Sequence, residues 1–268
     1  MKNLKEQVYD FWNKASCGEE LYLTNSDLNA YEEQLRIRYK LEPYIEDFAD
    51  FKSVRGLKVL EIGVGLGADH QRFAENGAEL FGIDLTERSI EHTKKRLKIL
   101  GLSSTLYVGD AESLDFPDDF FDIVYSWGVL HHTPDTAKAV SEVYRVLKPK
   151  GKALIMLYHK WSLVGFMLWT RYALLKLQPW LSLTYVYSNY LESPGTKAFS
   201  KKEIYKLFSA FSEINVKTVL THGDLLESNV GQRHRGVILY IARRIWPKWF
   251  IKKFLNSFGL YSLIKAIK

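Results

Sequence analysis

A chain of 268 residues, 47% hydrophobic, 25% charged and 14% aromatic, has material for one α/β domain with additions and is too apolar for wholesale disorder. Its single cysteine, Cys17, excludes an internal disulfide framework and a thiolate-rich zinc site, and fits a reducing compartment. The net charge of +6 is uneven: nine Lys and Arg and no acid follow Glu227, so a tail of +9 joins a body of −3, which speaks against a uniformly basic nucleic-acid binder.

The opening MKNLKEQVYDFWNK mixes charge with aromatics and lacks an apolar h-region, so no secretory leader is expected and the chain reads as cytoplasmic. Residues 1–50 read as a helical lid. Leu4, Val8, Phe11 and Trp12 form an apolar stripe, and helical spacing resumes after the cap candidate Ser26. From Leu57 the pattern becomes alternation: LKVLEIG, AELFGID, STLYVGD, FFDIVYSWG and KALIMLYH read as strands. The stretches between them read mostly as helices. Strands alternating with helices predict a mostly parallel sheet covered on both faces, a Rossmann-like doubly wound α/β fold, here assigned to residues 51–242.

An aromatic-rich helical insert at about 160–199 interrupts this order after the fifth strand. Arg171, Lys176 and Pro179 punctuate its most apolar window, leaving no run long enough to cross a bilayer. Ser200 and Glu203 then form a capping-box pattern, and two strand-like runs follow, EINVKTVLT and RGVILYIARR. Residues 243–268 read as a basic amphipathic tail, with Phe250, Phe254, Phe258 and Tyr261 near one side of a helix that Gly259 threatens to break.

The chemistry centres on KVLEIGVGLGADHQRF. Gly63, Gly65 and Ala68 fit a dinucleotide fingerprint, whereas Glu61 with Gly63, Gly65 and Gly67 fits an acid-led glycine loop for a cationic ligand. Glycines serve either ligand by letting backbone approach closely, but a carboxylate at the end of the first strand repels a pyrophosphate. Asp84, ending the second strand, suits ribose hydroxyls in both cases.

Taken with FGIDLT, VGDAESLDFPDDFFDIVYSWGVLHH and EVYRVLKPKGKALI, the loop resembles the class I S-adenosylmethionine (SAM)-dependent methyltransferases, small-molecule type, similar to the ubiquinone and menaquinone C-methyltransferase group. The resemblance spans about Leu57 to Tyr158. It implies SAM as cofactor, with Gly63, Gly65 and Gly67 at the methionine part, Asp84 at the ribose, and Glu61 and Leu85 also in the cofactor site. Asp110 and Ala111 would face the adenine, Ser126 and Trp127 would lie beside the cofactor, and the sheet would end in an antiparallel strand. The function implied is methyl transfer to a small, partly apolar acceptor.

His131, His132, Tyr158 and His159 follow the fourth and fifth strands, where such sheets bind ligands, and are the candidates for taking an acceptor proton. His222 and Asp224 form a weaker polar cluster. Adjacent histidines lack the helical spacing of a metal pair, so no metal is expected. Nucleic acid is not expected as a partner. An oligomer and a peripheral membrane contact through the tail stay open. So do three other functions: a catalytically silent SAM-binding scaffold, an NAD(P) oxidoreductase, and a peripheral membrane methyltransferase acting on a lipid or quinone.

Overall fold

The computed structural model describes residues 2–23, 25, 27–227 and 243–268. Four helices come first: α1 (Leu4–Lys14), α2 (Glu19–Tyr22), α3 (Leu28–Leu41) and α4 (Tyr44–Ala49). The alternating unit follows as β1 (Lys58–Ile62), α5 (Ala68–Glu75), β2 (Glu79–Asp84), α6 (Glu87–Leu100), β3 (Thr105–Val108), β4 (Phe121–Trp127), α7 (Thr136–Val146) and β5 (Leu147–Tyr158). The insert holds α8 (Leu163–Tyr172) and α9 (Leu183–Tyr190); α10 (Lys201–Leu207), β6 (Glu213–Val219), α11 (Lys248–Phe254) and β7 (Tyr261–Ile267) complete the chain.

Seven strands form one sheet in the order β3-β2-β1-β4-β5-β7-β6, and β7 runs antiparallel to both neighbours. Period-two alternation divides the central strands between two cores. Leu60, Val124 and Ile155 face the side covered by Ala139 and Val143 of α7 and Ile204 of α10. Val59, Ile123 and Leu154 face the side covered by Phe48 of α4 and Phe73 of α5. Both faces are therefore dry, as near-continuous apolar strands require.

Local chemistry sets several boundaries. The capping box at α10 forms, with Ser200 and Glu203 reciprocally bonded. Another forms at α1 between Asn3 and Glu6. The cap candidate Ser26 lies outside the described residues, and α3 is capped by the Asp27 side chain accepting from Ala30 N. Of the two closing runs read from sequence, Glu213–Val219 is β6, while RGVILYIARR falls largely outside the described residues.

The tail corrects the sequence reading. Its helix ends at Phe254, and Tyr261 begins a strand instead of continuing an apolar helical stripe. Ser262, Leu263, Ile264 and Ala266 are buried because β7 sits between β5 and β6, where both faces are covered. That demand for apolar side chains on both sides produces a run that resembles a helix by composition alone.

Candidate active site

The carboxyl ends of β1, β2, β4 and β5 open into one cavity of about 1150 Å³, bounded also by α1, the insert and the tail. Ligands of open α/β sheets bind at this edge.

At the β1 end, Gly63, Gly65 and Gly67 all have positive φ (+83°, +52° and +75°). A Cβ on Gly63 would stand 2.1 Å from Val129 Cγ2, so that glycine is required by close packing of the β1 and β4 loops. A Cβ on Gly65 meets nothing within 4 Å, so this residue borders open space where a ligand can approach the backbone. The Asp84 carboxylate lies just behind: Gly65 N donates to its Oδ2 (3.2 Å), and Thr86 N and Oγ1 donate to its Oδ1 (3.0 and 2.9 Å). Burial raises the Asp84 pKa and these hydrogen bonds oppose the rise.

Glu61 and Leu85 also line the cavity. Glu61, however, is not a free charge. Its Oε2 meets His70 Nδ1 at 2.8 Å inside the protein, burial raises its pKa well above the carboxylate range, and burial lowers that of His70 to about 3. Both shifts favour uncharged forms. The buried charge below the loop is instead that of Asp69, which accepts from Arg38 Nε and Nη2 (2.9 and 2.5 Å), Tyr39 Oη (2.9 Å) and Tyr125 Oη (2.7 Å). Burial opposes ionisation of Asp69, but Arg38 and the two hydroxyls prevail and its pKa falls.

Asp110 and Ala111 line the same end. Lys5 of α1 reaches across to Asp110 Oδ2 (2.5 Å) and Glu112 Oε2 (2.8 Å), bringing Phe11 and Trp12 over the cavity. Tyr9 turns outward and donates to Glu87. Trp127 lines the cavity, stacked near Tyr44 with ring centroids 6.0 Å apart and edge-on to Tyr261 at 5.7 Å.

Ser126 does not join this group. It is fully buried, its hydroxyl donates to Ile62 O, and it stands outside the cavity wall because successive strand residues point to opposite faces.

The β4 and β5 ends gather the polar groups nearest the apolar part of the cavity. Tyr158 Oη donates to Glu192 Oε2 (2.7 Å). His132 Nε2 lies 3.3 Å from the same oxygen, and its Nδ1 is held by Ser193 Oγ (2.8 Å) and Thr196 Oγ1 (3.1 Å). All three residues line the cavity, and Trp12 packs edge-on to His132 at 5.3 Å.

His131 and His159 stand apart from the cavity. His131 is wholly buried against Tyr158 (3.9 Å between centroids), and among the described residues neither ring nitrogen has a hydrogen-bond partner; burial holds its pKa well below the usual histidine value. His159 Nδ1 meets Gly259 O at 3.2 Å, joining the end of β5 to the approach to β7. His222 lines the cavity with a pKa lowered to about 4 by burial, whereas Asp224 is a buried clamp for surrounding backbone.

Sequence reasoning passed over Arg38, Asp69 and Glu192. A signal existed for the last: Glu192 is the sole acid between residues 160 and 199. An isolated carboxylate amid that much aromatic surface needs a local partner.

The sheet order with its reversed penultimate strand, and a glycine loop with a half-buried acid on the following strand, define a Rossmann-like α/β domain with its ligand edge at that loop. Residues 60–155 match the family described as "Methyltransferase domain". The chain is 35% identical over 147 residues to phosphoethanolamine N-methyltransferase 2 of Caenorhabditis elegans, covering 51% of this chain and 33% of the relative. It is 36% identical over 112 residues to the ubiquinone/menaquinone biosynthesis C-methyltransferase of Pectobacterium carotovorum, covering 40% and 44%. The chain thus spans well under half the length of either relative.

Two solved structures share the fold. One is phosphoethanolamine N-methyltransferase 2 of Haemonchus contortus, in complex with phosphomonomethylethanolamine and S-adenosylhomocysteine: TM-score 0.60, 20% identity, all of this chain and 60% of that one covered. The other is a SAM-dependent methyltransferase, possible histamine N-methyltransferase, from Thermotoga maritima: TM-score 0.56, 19% identity, 97% and 99% covered.

Proposed function

We propose that this chain is a SAM-dependent methyltransferase acting on a small, partly apolar acceptor. The observation that carries the reading is the continuity of one cavity from the open face of Gly65 beside Asp84 to the Tyr158–Glu192–His132 cluster. SAM fits the first end: a half-buried acceptor for ribose hydroxyls lies on Asp84, backbone is open to the cavity at Gly65, and the apolar Leu85 and Ala111 suit a flat base beside Asp110. When bound, SAM supplies the activated methyl group.

The protein's own work is placement and exclusion of water. Holding an acceptor in line can contribute up to roughly 7–11 kcal/mol in the best intramolecular cases. The lid helix α1, tied to the body through Lys5, closes one side of the cavity with Phe11 and Trp12.

Among the candidate bases, His132 is the one both oriented and accessible. Ser193 and Thr196 fix its Nδ1, which leaves Nε2 toward Glu192 and the cavity. A proton leaving an acceptor hydroxyl or ammonium has Nε2 or the Glu192 carboxylate within reach, and Tyr158 Oη anchors that carboxylate. His131 and His159 support the loop ends instead.

Incubation with SAM and a panel of amines, phenols and lipid-like acceptors tests this by release of S-adenosylhomocysteine. His132→Asn and Glu192→Gln should lower kcat and flatten its pH profile while leaving SAM affinity within about threefold. SAM binding without release on any acceptor would leave the scaffold reading. Tight NAD binding with none for SAM would overturn the proposal.

A further inference from the structure

Large hydrophobic side chains left exposed are concentrated in two places. Of seventeen among the described residues, seven lie in the insert and five in the tail. Leu177 is 82% exposed, Trp180 75%, Ile245 74% and Trp249 69%, values usual for lysine and not for leucine or tryptophan. Among the described residues, no helix is long and apolar enough to cross a membrane.

Topology places both segments at one rim. Because β7 is antiparallel, Tyr261 at its start pairs with Tyr158 at the end of β5, so the tail arrives where the insert departs. Asp224 fastens them: Val164 N of α8 donates to its Oδ1, Trp246 Nε1 donates to its backbone carbonyl, and Leu260 N donates to its Oδ2. Both segments also wall the cavity, through Met167 and Leu175 on one side and Trp246 on the other.

Charge identifies the occupant. No acid occurs from residue 160 to 191 or after Glu227, whereas Arg171 and Lys176 lie in the insert and Lys248, Lys252 and Lys253 in α11. Among the described residues, the one acid in ion-pair range of these α11 lysines is Glu227, 3.1 Å from Lys252 Nζ. In α11, Ile251 points inward while Trp249, Phe250 and Phe254 project outward, with Lys253 Nζ 5.0 Å from the Trp249 ring. Aromatic rings with ammonium groups beside them suit the headgroup region of a bilayer, where rings enter and lysines remain at the phosphates. A second copy meeting this face would oppose cation to cation.

We propose that insert and tail together form a docking surface for an anionic lipid bilayer, setting the cavity beside it. The docking stands apart from the methyl-transfer reading and is measured without it.

The test is co-sedimentation of the full chain with vesicles of phosphatidylcholine, with and without phosphatidylglycerol. Partitioning should be about tenfold or more stronger on the anionic vesicles and should weaken with salt. Trp180→Ser with Trp249→Ser should abolish it, and Lys252→Glu with Lys253→Glu should remove the preference for anionic lipid. Calorimetric SAM affinity within twofold of wild type would show that these variants stay folded; if wild type binds no SAM, circular dichroism serves instead. Background pelleting of wild type on both vesicle types overturns the proposal, as does self-association that Trp249→Ser abolishes without any vesicle binding.

Discussion

Replacing Arg38 by leucine should reveal how the cofactor end of the cavity is held together. Asp69 is buried and ionised because four hydrogen bonds converge on it, two of them from the Arg38 guanidinium. Hydrogen bonds to a charged group contribute about 1.5–3 kcal/mol each, so losing two predicts about 3–6 kcal/mol. Stranding one partner of a buried ion pair independently suggests about 3–5 kcal/mol. Either figure is a large share of a domain stability of about 5–15 kcal/mol.

The pH dependence has a definite sign. In wild type the Asp69 pKa is lowered, so its contribution is present above the unfolded-state value and is lost as pH falls through the folded one. Without Arg38, burial would raise that pKa, so the variant's deficit should shrink on acidification as Asp69 takes up a proton. Urea unfolding at several pH values measures this. Arg38→Leu with Asp69→Asn, which removes the stranded Asp69 charge and leaves only Glu42 without its Arg38 partner (3.2 Å), should recover at least half of the loss. A loss under about 1 kcal/mol for Arg38→Leu, independent of pH, would refute the claim that this pair carries the loop.

Two glycines of one loop should fail differently. Gly63→Ala forces a Cβ into Val129 at positive φ and should lower the melting temperature most, whereas Gly65→Val carries the strain of φ +52° without a clash, should lose less stability, and should lose SAM affinity by filling the open approach; identical phenotypes in thermal shift and calorimetry would contradict this division. Asp84→Asn should weaken SAM binding by about ten- to a hundredfold, matching one lost charge-assisted hydrogen bond. Ser126→Ala, behind the sheet, should change SAM affinity less than twofold, and a larger loss would place that hydroxyl in the site after all.

Legibility in the sequence followed physical locality. The five parallel strands announce themselves as apolar runs, four of them closed by glycine or acid at the carboxyl end, as in VLEIG and FGID, and the fifth by His159. Gly63, Gly65 and Gly67 share one turn, and Asp84, 19 residues beyond Gly65, is legible because it closes the next apolar strand. Asp69 and Arg38 were not, since 31 residues separate them and only the packing of α3 on α5 brings guanidinium to carboxylate. Local pattern also misjudged Ser126 and Glu61. Strand alternation turns the first away from the cavity, and burial beside His70, nine residues along, favours the uncharged form of the second.

The tail shows how a long-range constraint can rewrite a local pattern with consequences for function. Read alone, residues 243–268 are a basic amphipathic tail whose helical stripe Gly259 threatens to break; in the fold, the place between β5 and β6 takes Tyr261–Ile267 as a strand. Pairing Tyr261 with Tyr158 fixes the preceding helix at the rim of the cavity, within reach of the insert that leaves β5 one residue later. Moving that strand's pairing by one residue would turn Leu263 and Ile264 to opposite faces, so the core holds the register and the register holds the tail in place. The exposed aromatics of the tail therefore owe their position to apolar residues that follow them in the chain, and the rim chemistry depends on β7 more than on the tail's own helical propensity.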